Sequence, residues 1–83
     1  MHIRVLLFGP AALAQGEGAV RLEIEDAPSH PTRAVLEALE SQHNHLAPFT
    51  QSGRLAVNGK YAADEVSLSP DDEIALIAMV SGG

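Results

Sequence analysis

The residues of this chain that could take part in chemistry are few, and the most pointed of them are the last two. Gly82 and Gly83 close the sequence directly behind the apolar run IALIAMV. Glycine has no Cβ, so a Gly-Gly end is the narrowest and most pliable a chain can have. Two readings compete. Such residues can be the frayed end of a domain, where change is tolerated. Alternatively, Val80, Ser81 and Gly82 thread into another protein's active site and present the Gly83 carboxylate there as the reacting group. The other candidates are weaker. His43 and His45 have the spacing of two metal ligands but no evident third or fourth, so a solvated helix end is expected and no metal. Lys60 is the only lysine and is expected in water. Asp71, Asp72 and Glu73 form the densest acidic run. A solvated turn is its default reading, and docking to a basic enzyme surface is the alternative.

Composition narrows the chemistry further. There is no cysteine, hence no disulfide, no thiolate nucleophile and no zinc-thiolate site. Any sulfur chemistry must use another atom. Eighty-three residues make one domain with little room for an internal active site, because a chain this short buries only about 60–65% of its unfolded surface. Hydrophobic residues at 46% and charged residues at 19% describe a folded chain. Five Lys+Arg against eleven Asp+Glu leave a net charge of −6 with no basic cluster. Nucleic acid and anionic membrane are therefore poor partners, and a basic protein surface is the better match. The opening MHIRVLLFGPAALAQ has the outline of a signal peptide, but Gly9-Pro10 interrupts the apolar run and cleavage would remove the strongest strand pattern. Nothing approaches the ~18 apolar residues of a membrane span. The expected location is cytoplasmic.

These residues need elements to position them. HIRVLLFG places Ile3, Val5 and Leu7 on one face and Leu6 and Phe8 on the other, which predicts a central strand buried on both faces. AVRLEIED alternates Val20, Leu22 and Ile24 against Arg21, Glu23 and Glu25, a strand with one wet face. The intervening PAALAQGEG contains Gly16 and Gly18 and is read as a connection that turns the chain back, making an antiparallel pair. From Pro31 the period changes, and Val35, Leu36 and Leu39 recur at helical spacing to about His43, with Glu37 and Glu40 toward solvent. Pro48 and TQSG end this region. RLAV and NGKYA predict two short strands around Asn58-Gly59, the favoured pair for a type I′ hairpin. LSPDDE is a turn, and IALIAMV a last strand buried on both faces.

One helix among five strands, with the first and last strands the most apolar, predicts an α+β fold: a β-grasp, ubiquitin-like mixed sheet with one main helix packed on one face. The first and last strands then lie side by side in the middle, joined in parallel through the helical crossover. Residues 1–79 form the domain and residues 80–83 a flexible tail. An apolar sheet surface near the last strand is the expected docking face.

RVLLFG, the AVNG hairpin, LSPDDEIALI and the terminal VSGG resemble, in order and spacing, the MoaD/ThiS family of ubiquitin-like sulfur carriers, molybdopterin synthase small subunits above all. The resemblance covers nearly the whole chain. It implies that Gly83 is adenylated by an E1-like enzyme using ATP and converted to a thiocarboxylate with a sulfurtransferase as sulfur donor. No cofactor would be bound permanently. It further implies that the chain is not an enzyme alone but joins the large catalytic subunit of molybdopterin synthase in a heterotetramer. There it would give sulfur to a pyranopterin precursor of the molybdenum cofactor. Ala78 and Met79 stand where that subunit often has two prolines. Carriers for thiamine, cysteine or transfer-RNA thiolation, a ubiquitin-like protein modifier, and a plain β-grasp interaction module with an incidental Gly-Gly end stay open as alternatives. A carboxylate is a poor electrophile, so ATP must first make one oxygen a leaving group; sulfur can then displace AMP and leave a soft nucleophile on the chain. Val80 to Gly83 would reach about 13–14 Å when extended.

Overall fold

The computed structural model describes residues 1–63 and 66–78. Strand β1 (His2–Leu7) leads through helix α1 (Gly9–Gln15) to strand β2 (Ala19–Glu23). Helix α2 (Pro31–Gln42), a 3-10 turn (Asn44–Leu46) and helix α3 (Ala47–Ser52) follow. Strands β3 (Gly53–Val57), β4 (Lys60–Tyr61) and β5 (Ile74–Ala78) complete the order. The strands form one sheet in the order β2-β1-β5-β3-β4. β1 and β5 are parallel neighbours at its centre, and every other pairing is antiparallel. This is the α+β, β-grasp arrangement expected from the sequence, with α2 as the main helix on one face.

Alternation along the strands decides which face that is. Ile3, Val5 and Leu7 of β1, Val20 and Leu22 of β2, Leu55 and Val57 of β3, and Ile74 and Leu76 of β5 all point inward and are buried. α2 supplies Val35, Ala38 and Leu39 to the same core, at the spacing that one face of a helix requires. Pro31 opens α2 at a position where a missing N–H costs nothing. At the hairpin, Asn58 (φ 53°) and Gly59 (φ 84°) are both left-handed, the type I′ geometry that matches the twist of β3 and β4.

Four expectations need correction. The segment read as a simple connection is helical, because Pro10 starts it and the left-handed Gly16 (φ 81°) stops it, around residues of high helix propensity. Pro48 does not end the helical region; it opens α3 in the first turn. Glu40 is half-buried rather than solvent-facing, since α3 folds back and Thr50 Oγ1 donates to its carboxylate at 2.6 Å. β1 and β5 are central as expected, but the outer face is only partly covered: Ala75 is buried there, whereas Leu6 and Ile77 are half-buried and Phe8 is 53% exposed.

Candidate functional site

Val80, Ser81, Gly82 and Gly83, the residues expected to carry the chemistry, lie outside the described residues, as does Met79. The structure describes the base from which they continue. β5 runs between β1 and β3, so the chain reaches Ala78 from the middle of the sheet. Ala78 pairs with Gly53 and Ile77 with Arg54. Gly53 is pinched there: a Cβ at that position would lie 2.3 Å from the Phe49 carbonyl oxygen and 3.2 Å from that of Ile77. The α3-to-β3 junction can therefore sit against the end of β5 only without a side chain.

Beside this base the outer face of the sheet forms a shallow dish of about 380 Å³, lined by Leu6, Phe8, Ala56, Tyr61, Ala75 and Ile77, with Gly59 and Glu73 at its edge. Its shape follows from residue size along the strands. Ala56 and Ala75 pair across β3 and β5 and keep the floor low. Phe8, at the end of β1, and Tyr61, on β4, rise on either side and are 53% and 56% exposed. Large exposed aromatic surface around one concavity marks a docking surface on a small domain. The Arg54 guanidinium lies 4.8 Å from the centroid of the Tyr61 ring, a cation–π contact that holds a positive charge on the rim of an otherwise acidic protein. Leu13 of α1 is 85% exposed; α1 follows the end of β1, which parallels β5, so Leu13 lies toward the same end of the sheet as Ala78.

The acidic run occupies the opposite end of β5, about 16 Å away along five residues. Asp71 and Glu73 are exposed, but Asp72 has a structural task. Its carboxylate accepts from Asn58 Nδ2 at 3.0 Å and from the Ser69 N–H at 2.8 Å. The Glu73 N–H donates to Asn58 Oδ1 at 2.9 Å and the Asn58 N–H to the Glu73 carbonyl at 2.7 Å. The hairpin is thus clasped to the turn that launches β5. The hydrogen bond from Asn58, and after it that from Ser69, holds the Asp72 carboxyl below its ordinary pKa, because both stabilise the charged form.

His43 and His45 do not converge on a common point. Their ring centroids are 6.2 Å apart and nearly perpendicular; His43 Nε2 meets the Arg21 carbonyl and His45 Nε2 meets Gln15 Oε1. Among the described residues, no group of three or more His, Asp or Glu side chains could hold a metal. Lys60 is exposed on the hairpin, as expected. No helix among the described residues is long and apolar enough to cross a membrane.

The model of the ThiS family matches residues 5–83, nearly the entire chain and including both terminal glycines. The chain belongs to the ThiS family. It is thereby one of the ThiS/MoaD-like sulfur carriers and ubiquitin-like modifiers. Solved structures place it in the same fold. SAMP1 from Haloferax volcanii is 25% identical with both chains fully covered, at a TM-score of 0.78. A putative molybdopterin converting factor subunit 1 from Pyrococcus furiosus is 17% identical over 96% of this chain and 99% of its own, at 0.76. A chain from the complex of subunits 1 and 2 of the Helicobacter pylori molybdopterin-converting factor is 20% identical with both chains fully covered, at 0.65. No curated protein matches.

The sequence carried the outer-face dish only in outline. An apolar surface near the last strand was expected; Phe8, Tyr61 and Arg54 as its walls and rim were not. The signal lay in the register, since Ala56 opposite Ala75 on two outward-facing positions leaves a gap that flanking aromatics frame.

Proposed function

We propose that this chain is a sulfur carrier that acts as the small subunit of a molybdopterin synthase, with the Gly83 carboxylate as its reacting group. The observation that carries the proposal is a family match running to Gly83 on a domain whose central strand points toward that end beside an open apolar dish. The dish docks the body of the protein on a partner while the following residues reach the partner's active site. An E1-like enzyme transfers AMP from ATP to the Gly83 carboxylate and releases pyrophosphate. The outer sulfur of a persulfide on a sulfurtransferase then displaces AMP to give an acyl disulfide, and a thiol reductant cleaves its S–S bond, leaving a thiocarboxylate. Docked on a large catalytic subunit, that sulfur attacks a pyranopterin precursor and displaces an oxygen leaving group; hydrolysis of the resulting thioester leaves the sulfur on the precursor and returns the Gly83 carboxylate. The Helicobacter neighbour, taken from a complex of two such subunits, supports a large-subunit partner.

The likeness to SAMP1, a protein also described as small archaeal modifier protein 1, favours a second reading in which the activated Gly83 is joined to amines of other proteins. Both readings share adenylation and part afterwards. Intact-mass measurement after incubation with ATP, the activating enzyme and a sulfur donor should show a gain of about 16 Da, the replacement of oxygen by sulfur. The thiocarboxylate should then be consumed by the large subunit plus precursor. Adducts on lysines of other proteins, with no transfer to precursor, would move the assignment to the modifier. A chain that gains no mass with a competent activating enzyme is not a sulfur carrier.

A further inference from the structure

The sheet has two edges, and they are protected in different ways. β4, at one edge, is only two residues long. β2, at the other, has five residues and would be an open template for another strand. Its register shows which backbone groups point outward. The Ile24 N–H donates to the Met1 carbonyl at 2.9 Å, the Met1 amino group donates back to the Ile24 carbonyl, and the Leu7 N–H donates to the Gly18 carbonyl at 2.8 Å. Pairs alternate along an antiparallel ladder, so Leu22 and Val20 turn their N–H and C=O toward β1, whereas Glu23, Arg21 and Ala19 turn theirs outward.

Those outward groups are met by side chains from the end of α2. The Glu23 N–H donates to Gln42 Oε1 at 3.0 Å, and Gln42 Nε2 donates to the Glu23 carbonyl at 2.7 Å. One carboxamide thus does what a residue of a neighbouring strand would do, since it offers an acceptor and a donor side by side as a peptide does. His43 Nε2 meets the Arg21 carbonyl at 3.2 Å; only the N–H form of that nitrogen can pair with a carbonyl.

We propose that Gln42 and His43 form an edge guard that keeps β2 from pairing with β2 of a second copy of this chain. The second copy is singled out by the edge itself. In an antiparallel two-fold pairing centred on Leu22, Arg21 of each chain stands opposite Glu23 of the other, so opposite charges face each other twice on one side of the extended sheet. In the same register the outward N–H and C=O groups of Arg21 and Glu23 become the hydrogen-bonded pairs of the new ladder. Of those four groups per chain, Gln42 and His43 occupy three. The guard therefore covers the edge where self-pairing is most favourable. It also accounts for the QHNH stretch without a metal: Gln42 and His43 close the edge, and His45 ties the segment to Gln15 of α1.

The test uses the whole chain with Gln42→Ala and His43→Ala combined. Gln42 is exposed, so the fold should survive, and a circular dichroism melt checks it. In dilute solution the Glu23 amide should exchange about tenfold faster than in the native protein, having lost its hydrogen bond. At high concentration sedimentation velocity should show a dimer, the Glu23 amide should regain protection and the Arg21 amide should gain it, and the native protein should stay monomeric. Adding Arg21→Pro should return the variant to a monomer, because it removes the outward-facing donor and the charge that would face Glu23 while taking no hydrogen bond from the pairing with β1. A folded variant that stays monomeric at every concentration overturns the proposal. So does a dimer indifferent to Arg21→Pro, or a native protein that dimerises through the same amides. Should the double variant not fold, Gln42→Met keeps the length of the side chain without its amide and is judged by the same readouts.

Discussion

Leu76 and Ile77 are neighbours on β5 whose substitutions should fail in opposite ways. Leu76 points into the core and is fully buried; Ile77 points into the dish and is half-buried. Leu76→Ala removes a buried isobutyl group from the central strand and leaves a cavity between β5 and the helices, at a cost of about 2–5 kcal/mol. A chain of 83 residues has about 4–12 kcal/mol of total stability, so this one change takes a large share of it. The thermal midpoint should fall by at least about 8 °C, at about 4–8 °C per kcal/mol for a domain of this size. Ile77→Thr keeps the β-branched shape that suits a strand and replaces apolar surface on the open side only, so its cost should stay near or below about 1 kcal/mol. Its effect should appear in docking. If Ile77 is part of the surface that the activating enzyme covers, its KM should rise about 5–30-fold, with kcat unchanged, as the loss of about 1–2 kcal/mol of interface energy requires. Urea titration and ATP–pyrophosphate exchange measure the two effects separately. A stable Ile77→Thr protein activated with the native KM would remove the dish from the docking surface. A Leu76→Ala protein with the native urea midpoint would contradict its place in the core.

Gly53→Ala should destabilise by about 1–3 kcal/mol in urea titration, since its methyl would meet the Phe49 carbonyl and the junction beneath Ala78 must shift to admit it. Acidification should weaken the hairpin clasp. The folded pKa of Asp72 lies below its ordinary value of 3.8, so its contribution is complete above that value and disappears as the pH falls through the lower folded one. Melts taken from about pH 5 down to about pH 2 should show the native midpoint falling more than that of Asp72→Asn, which has no carboxylate to protonate; parallel curves would deny the clasp its charge dependence. Deleting Gly82 and Gly83 should leave the thermal midpoint unchanged and abolish the mass gain of about 16 Da, whereas loss of the fold would make those glycines structural. Gly82→Val should retain docking but stop transfer in a single-turnover assay, because a branched side chain thickens and stiffens the segment; transfer at the native rate would deny a narrow passage.

How legible the fold was depended on how local its causes are. Alternation identified β2, runs apolar on both faces identified β1 and β5, the change of period identified α2, and Asn58-Gly59 identified the hairpin of β3 and β4, since each of these signals is complete within its own stretch of chain. The two short helices were missed for a related reason. α1 spans seven residues and α3 six, too few for a periodic pattern to separate from a loop, and helices of that length are stable only through packing. Their caps were nonetheless present. Pro10 opens α1 and Gly16 closes it in the left-handed conformation; Pro48, taken as a breaker, occupies the first turn of α3. The roles of Asp72, Gln42 and Thr50 were not visible at all, because each depends on a partner brought near by the tertiary fold: Asn58, Glu23 and Glu40.

The outer faces of β1 and β5 show a different kind of limit. Leu6, Phe8, Ala75 and Ile77 make those strands apolar on both sides, and a strand apolar on both sides predicts cover on both sides. Among the described residues, helices pack on one side only. On the function proposed above, the misfit between pattern and exposure has a physical meaning: the outer residues are composed for burial against a partner. Dish residues should therefore be tolerant in folding and intolerant in docking, whereas the inward residues between them on the same strands should show the reverse. Single-site replacement along β1 and β5, scored separately for thermal midpoint and for activation, should give two alternating series out of phase by one residue. If both scores rise and fall together, the outer face is ordinary surface and its apolar composition has no partner to explain it.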